Sequence, residues 1–131
     1  MRNLTKNAVL IAMVMVMSMT FIQCKDAAVT KFLEMSAEEM NKQCPIDMGN
    51  GMTLTKCSVT GSKALKIEFS VSDNADRSLI NESMKPTFVA NLKKSPEFAK
   101  IQEFGIEYNY VFYDSSKKVL SEINIGPDDY K

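Results

Sequence analysis

Two periods of apolar residues run along this chain, and the switches between them outline its elements. Val29, Phe32, Leu33, Ala37 and Met40 recur at helical spacing, with Lys31, Glu34, Glu38 and Lys42 mostly off that face, so an amphipathic helix is expected there. Ser36-Ala37-Glu38-Glu39 has the form of a capping box and offers a second helix start within it. Pro45 ends the helix, because the residue before a proline is driven out of the helical region. From Met52 the period falls to two. Met52–Val59 and Ala64–Val71, joined by Thr60-Gly61-Ser62, read as a hairpin in which Leu65, Ile67, Phe69 and Val71 face a core while Lys66, Glu68 and Ser70 face water. Ser72–Asp76 is a polar connector.

Helical spacing returns from Leu79 to Leu92 with Pro86 inside it, which calls for either a helix start near Ser83 or a kink at the proline. Ser95-Pro96-Glu97 predicts an N-cap followed by proline at the first position of a short helix through Phe98 and Ile101, stopping at Gly105. Ile106–Tyr113 and Val119–Ile125 form a second hairpin around Asp114–Lys117. The order is helix-strand-strand, twice. Its simplest closure is an α+β fold, one four-stranded antiparallel sheet with helices on a single face.

What precedes these elements has a different character. Arg2 and Lys6 lead into an acid-free apolar run from Ala8 to Ile22, the layout of a bacterial export signal. As a helix those 15 residues would reach about 22 Å, short of a ~30 Å hydrocarbon core, so a removable signal over 1–23 is expected rather than a retained anchor. Phe21-Ile22-Gln23-Cys24 resembles a lipoprotein box, with Gln23 larger than the usual small residue before the cysteine. Cys24 is then the lipid acceptor, and Lys25-Asp26 looks like the charged tag after the lipidated cysteine of some surface-exposed lipoproteins of Gram-negative bacteria. The expected address is therefore an exported lipoprotein of the outer membrane or periplasm, held to the membrane through Cys24, with 24–131 as one domain.

Without the signal the chain carries 14 basic and 16 acidic residues, and no basic run exceeds the pairs Lys93-Lys94 and Lys117-Lys118. Nucleic acid is thereby excluded as a partner. With Cys24 assigned, Cys44 and Cys57 remain. An oxidising compartment favours a disulfide between them, two buried free thiols being the alternative and a reactive Cys44 a third reading.

The chain has no histidine, which removes the usual general base, metal ligand and triad partner. Asp73, Asp76, Asp128 and Asp129 lack the ligand ladder of a calcium loop and read as solvated turns. Adjacent Glu38 and Glu39 point to different sides of a helix, and Gly49, Gly51 and Gly61 make no phosphate-binding fingerprint. No catalytic residue, metal or cofactor is assigned. Tyr108, Tyr110 and Phe112 alternate toward the core, which leaves Glu107, Asn109, Val111 and Tyr113 as the candidate binding surface.

The organisation, with Met40-Asn41-Lys42-Gln43-Cys44-Pro45 and Tyr108-Asn109-Tyr110-Val111-Phe112-Tyr113-Asp114, resembles small exported proteins of unknown function from Gram-negative envelopes. That resemblance implies an envelope address and no catalytic residue. The function expected is non-enzymatic: binding of a protein, peptide or glycan through the open sheet face or the loops, with inhibition of a partner as a special case. A small hydrolase using carboxylates or Cys44 is the alternative, and a structural envelope component the third.

Overall fold

A computed structural model describes residues 26–131. The expected signal over 1–23 and Cys24 lie outside the described residues.

Helix α1 runs unbroken over 26–43. The capping box at Ser36 starts no second helix, because Ala37, Glu38, Glu39 and Met40 are strong helix formers and Ala37 continues the buried stripe of Val29 and Leu33. At its end the Cys44 N–H reaches the carbonyls of Met40 and Asn41, each at 3.2 Å, before Pro45.

Two expectations about the sheet are corrected here. Among the described residues it has five strands, β1 (Ile46–Gly49), β2 (Met52–Thr60), β3 (Ala64–Val71), β4 (Glu107–Tyr113) and β5 (Val119–Ile125), and they lie side by side in chain order. The sheet is also mixed: β3 and β4 are parallel and the other pairs antiparallel. β1 escapes a pattern search because four residues following a proline are too few to show alternation. It exists because Gly49, Asn50 and Gly51 all adopt positive φ and turn the chain back onto β2. Gly51 is needed twice over, since a Cβ there would also stand 2.9 Å from the Ala75 side chain. The parallel pairing follows from the connection. Two helices lie between β3 and β4, and such a crossover can return the chain to the end of the sheet from which β3 started.

Within that crossover the helical pattern of 79–92 divides. Asp76 and Asn81 accept hydrogen bonds from the Ser78 and Ser83 N–H groups, at 3.1 and 2.8 Å, and cap two 3-10 turns. Helix α2 begins only at Lys85 and ends at Lys94, with Pro86 in its first turn, where the missing N–H costs little. Helix α3 covers Phe98–Phe104, beginning after Glu97 rather than at the expected Pro96, and it stops at Gly105 in the left-handed conformation, as the sequence predicts. Asp128 and Asp129, expected in a solvated turn, instead belong to a final helical turn, α4 (Pro127–Tyr130). It is fixed by Asp129, which accepts the Gly126 N–H at 2.8 Å and pairs with Lys85 at 3.1 Å, and by buried Tyr130, whose hydroxyl donates to the Ile106 carbonyl at 2.7 Å.

One core joins the helices to alternate strand positions. Val29, Leu33 and Ala37 of α1 and Ile101 of α3 cluster with Leu65, Ile67, Phe69 and Val71, with Tyr108, Tyr110 and Phe112, and with Ile123 and Ile125. Phe88 of α2 stacks on Tyr110 at 4.4 Å between ring centroids, and Phe69 on Phe112 at 4.9 Å. The expected core role of Tyr108, Tyr110 and Phe112 is what the structure shows.

Candidate functional site: an apolar groove beside the edge strand

The helical layer stops short of β1 and leaves a groove of about 840 Å³ between α1, α3 and that edge strand. Its walls are Phe32, Met35 and Met40 of α1, Ile46 and Met48 of β1, and Phe104 of α3. Phe32 and Phe104 meet edge to face at 5.7 Å, which ties α1 to α3 and sets the groove's width. Met35 remains 59% exposed and Met48 49%. Glu39, Glu97 and Lys100 line the groove with them. An apolar trough with polar residues at its margin and unbranched methionines in its walls is a surface that adapts to apolar side chains of a partner.

The sequence pattern missed these residues for identifiable reasons. Met35 lies off the stripe of Val29, Leu33 and Ala37, and Met48 lies in the strand too short to show a period. An apolar residue out of phase with its own element was the one signal available.

The surface the sequence favoured behaves differently. Glu107, Asn109, Val111 and Tyr113 do share one side of β4, but Val111 is only 3% exposed and stands outside the helix-side core. Glu68 of β3 and Glu122 of β5 flank it in register. Asn109 Nδ2 donates to Glu122 Oε1 at 2.6 Å and to Asn124 Oδ1. The Lys66 ammonium sits over the Tyr113 ring, 5.9 Å from its centroid, and 3.6 Å from Glu68. Its hydrogen bond to Tyr113, more than the nearby Glu68 carboxylate, holds the ammonium protonated beyond the ordinary lysine range. Most polar groups at the middle of this face are thus already paired with one another.

Cys44 and Cys57 are both free thiols, so the expected disulfide is corrected. Cys57 faces the core, 1% exposed, and burial with the neighbouring Cys44 pushes its thiol up to about 11. Burial raises the Cys44 thiol as well. Activation of a cysteine nucleophile needs the opposite shift. The segment between them is ordered without a bridge, because Asn41 of α1 reaches across to β2. Its Nδ2 donates to the Cys57 carbonyl and its Oδ1 accepts the Cys57 N–H, both at 2.8 Å, in the manner of a missing strand.

Four other carboxylates form exposed ion pairs. Lys42 lies 3.5 Å from Glu38 and 4.0 Å from Glu39, Arg77 lies 3.2 Å from Asp73, and Lys131 lies 3.0 Å from Asp128. Among the described residues no three acidic or cysteine side chains gather as a metal-ligand set.

With this geometry in view, comparison with known proteins places the chain. A family described as Domain of unknown function (DUF8479) matches residues 27–121, from the first turn of α1 into β5. The chain belongs to this family. The DUF8479 match takes in every wall of the groove and stops short of α4. No curated protein matches the sequence. Solved structures of the same fold include a protein described as secreted from Pseudomonas aeruginosa, 15% identical with a TM-score of 0.68, covering 82% of this chain and 96% of that one. Two others are type II secretion system pilotins, EpsS of Vibrio vulnificus and AspS of Vibrio cholerae. Each is 11% identical with a TM-score of 0.65 over 82% of this chain, and 96% and 97% of theirs are covered. At such identities the likeness is one of fold.

Proposed function

We propose that this DUF8479 protein is a non-enzymatic envelope protein that is exported, anchored through a lipid on Cys24, and works by holding a protein partner in the groove beside β1. The observation that carries the reading is the exposed pair Met35 and Met48 facing a continuous apolar wall of Phe32, Met40, Ile46 and Phe104. Apolar surface left in water on a small domain marks an interaction site. The fold shared with two pilotins and with a protein described as secreted supports both the address and the mode of action. Anchor and groove are also close along the chain. Ala28 already lines the groove, and it is the fourth residue after Cys24, at most about 14 Å of extended chain.

The test is site-directed photo-cross-linking in the native envelope. A photoreactive residue replacing Met48 should give one reproducible adduct, lost when Met35→Lys is added, and a photoreactive residue replacing Glu122 on the open sheet face should give none. Equal adducts from both positions, or none from Met48, would overturn the groove as the binding site. Intact mass of the native protein should show a diacyl or triacyl addition on Cys24; an unmodified terminus elsewhere removes the anchor.

A further inference from the structure

Three irregularities of the backbone converge at one end of the open sheet face, on the side away from the groove. Leu54, Phe69 and Phe112 form a single row across β2, β3 and β4, and a β-bulge falls immediately beside that row on each flank. One lies between Leu54 and Lys56, the other between Phe112 and Tyr113. Bulges bend a strand and re-aim the side chains next to them. The third irregularity is Lys117, which holds φ at 63° in the β4–β5 turn. That turn is rigid. Asp114 Oδ1 accepts the N–H groups of Ser116 and Lys118 at 2.9 and 2.8 Å, and Ser115 Oγ donates to Asp73 at 2.9 Å across 42 residues of chain.

Between these features is a cleft of about 650 Å³, lined by Thr55, Lys56, Glu68, Ser70, Tyr113 and Lys117 among others. Its lining carries two lysines and two carboxylates, which differ in how far they are engaged. Glu68 is paired with Lys66, and Asp114 is engaged by backbone N–H groups. Lys56 and Lys117 have no ion-pair partner among the described residues, so their ammonium groups are free to take an added anion, although the Asp114 carboxylate shares the lining with them. Hydroxyls from Thr55, Ser70 and Tyr113 line the same space.

We propose that this cleft binds an acidic saccharide, its carboxylate or phosphate between Lys56 and Lys117 and its hydroxyls against Thr55, Ser70 and Tyr113. A lysine ammonium accepts either anion as a point charge. The volume lies in the range of small-ligand sites. A peptide is the poorer fit, because β3 and β4 beneath the cleft are interior strands with no free edge, and Phe69, which lines it, is itself buried. Nucleic acid would require a longer basic track and more stacking surfaces. The site is independent of the groove and of the partner proposed for it.

The test is an NMR titration of the full chain in detergent micelles with trigalacturonate, compared with maltotriose, triglutamate and inorganic phosphate. Trigalacturonate should shift the amides of Thr55, Ser70 and Tyr113 saturably, with maltotriose and triglutamate at least tenfold weaker. Lys56→Gln with Lys117→Gln should weaken the interaction at least tenfold, and Tyr113→Ala several-fold, while Lys94→Gln at the end of α2 leaves it unchanged. The amide dispersion of each variant reports its folding in the same spectra. Absence of saturation at the cleft, equal binding of triglutamate or of phosphate alone, or shifts centred on Met35 and Met48 would overturn the proposal.

Discussion

The groove and the open sheet face are both wet surfaces of one small domain, yet they differ in what their side chains have left to offer. In the groove, Met35 and Met48 face water across a wall of Phe32 and Phe104. At the middle of the open face, Asn109 is bonded to Glu122 and Asn124, Lys66 is bound to Tyr113 and Glu68, and Val111 is sealed beneath its neighbours. Exposed strand positions are therefore a poor guide to binding when their polar groups satisfy one another. The distinguishing quantity is unsatisfied surface: apolar area in the groove and, on the open sheet face, unpaired ammonium groups at its bulged end.

The sharpest way to break this comparison is Val111→Asp. If the middle of the open face were free surface, the change would be nearly silent. Val111 is instead buried between Glu68 and Glu122 in register, so an aspartate there would be an unpaired charge beside two like charges. A loss of about 3–5 kcal/mol in folding stability is expected by urea denaturation. Val111→Lys, which can pair with either glutamate, should cost visibly less.

A second contrast is in titration, because the helix side buries groups that the open face keeps in water. Below about pH 9 the Cys57 thiol is neutral in both the folded and the unfolded chain and adds no pH dependence. Between its ordinary value of 9.0 and its folded value of about 11 the unfolded chain loses the proton first, so stability falls as pH rises. The loss attributable to this thiol is on the order of 2–3 kcal/mol across that window. Burial shifts Tyr108 and Tyr110 in the same direction, and they extend the decline to higher pH. Cys57→Ala should remove the first part of the decline and leave the second; an unchanged profile would show that the thiol is not buried as described.

Asn41 tests how the two sides are joined. Asn41→Ala would leave the Cys57 N–H and carbonyl without their partner on the free edge of β2, at a cost of about 1–3 kcal/mol. Asn41→Asp keeps the acceptor and loses the donor, and should fall between the two. Hydrogen exchange at the Cys57 amide reads the same bond directly, since it should quicken in Asn41→Ala more than in Asn41→Asp.

How far these features could be read from residues alone depends on how local their causes are. The alternation of Leu65, Ile67, Phe69 and Val71 and the stripe of Val29, Leu33 and Ala37 are visible because a period of two or of 3.6 needs only neighbours in sequence. The glycine stop at Gly105 is local in the same way. β1 was hidden because its pairing with β2 is set by a turn of three positive-φ residues rather than by an alternating run. The parallel contact of β3 with β4 and the burial of Val111 depend on which strands become neighbours, and no local pattern contains that. The cysteine pair shows a further limit. Their spacing permits a bridge, whereas the Asn41 clamp that orders the segment without one comes from a side chain 16 residues before Cys57.

The smallest stability effect carries the most functional information. Met35→Lys and Met48→Lys replace exposed side chains that lie outside the buried core, so each should alter folding stability by less than about 0.5 kcal/mol. Their effect on partner binding should be out of proportion to that, because a lysine placed in an apolar groove must be desolvated or must exclude the ligand. A pulldown from the native envelope with the double variant should therefore lose the adduct recovered with the unaltered protein, while Glu122→Ala on the open face, equally mild for the fold, should retain it. If Glu122→Ala abolishes partner recovery and the methionine variants do not, the roles assigned to the two surfaces are reversed. In that case Asn109 of β4 would have to exchange its bonds to Glu122 and Asn124 for bonds to a partner.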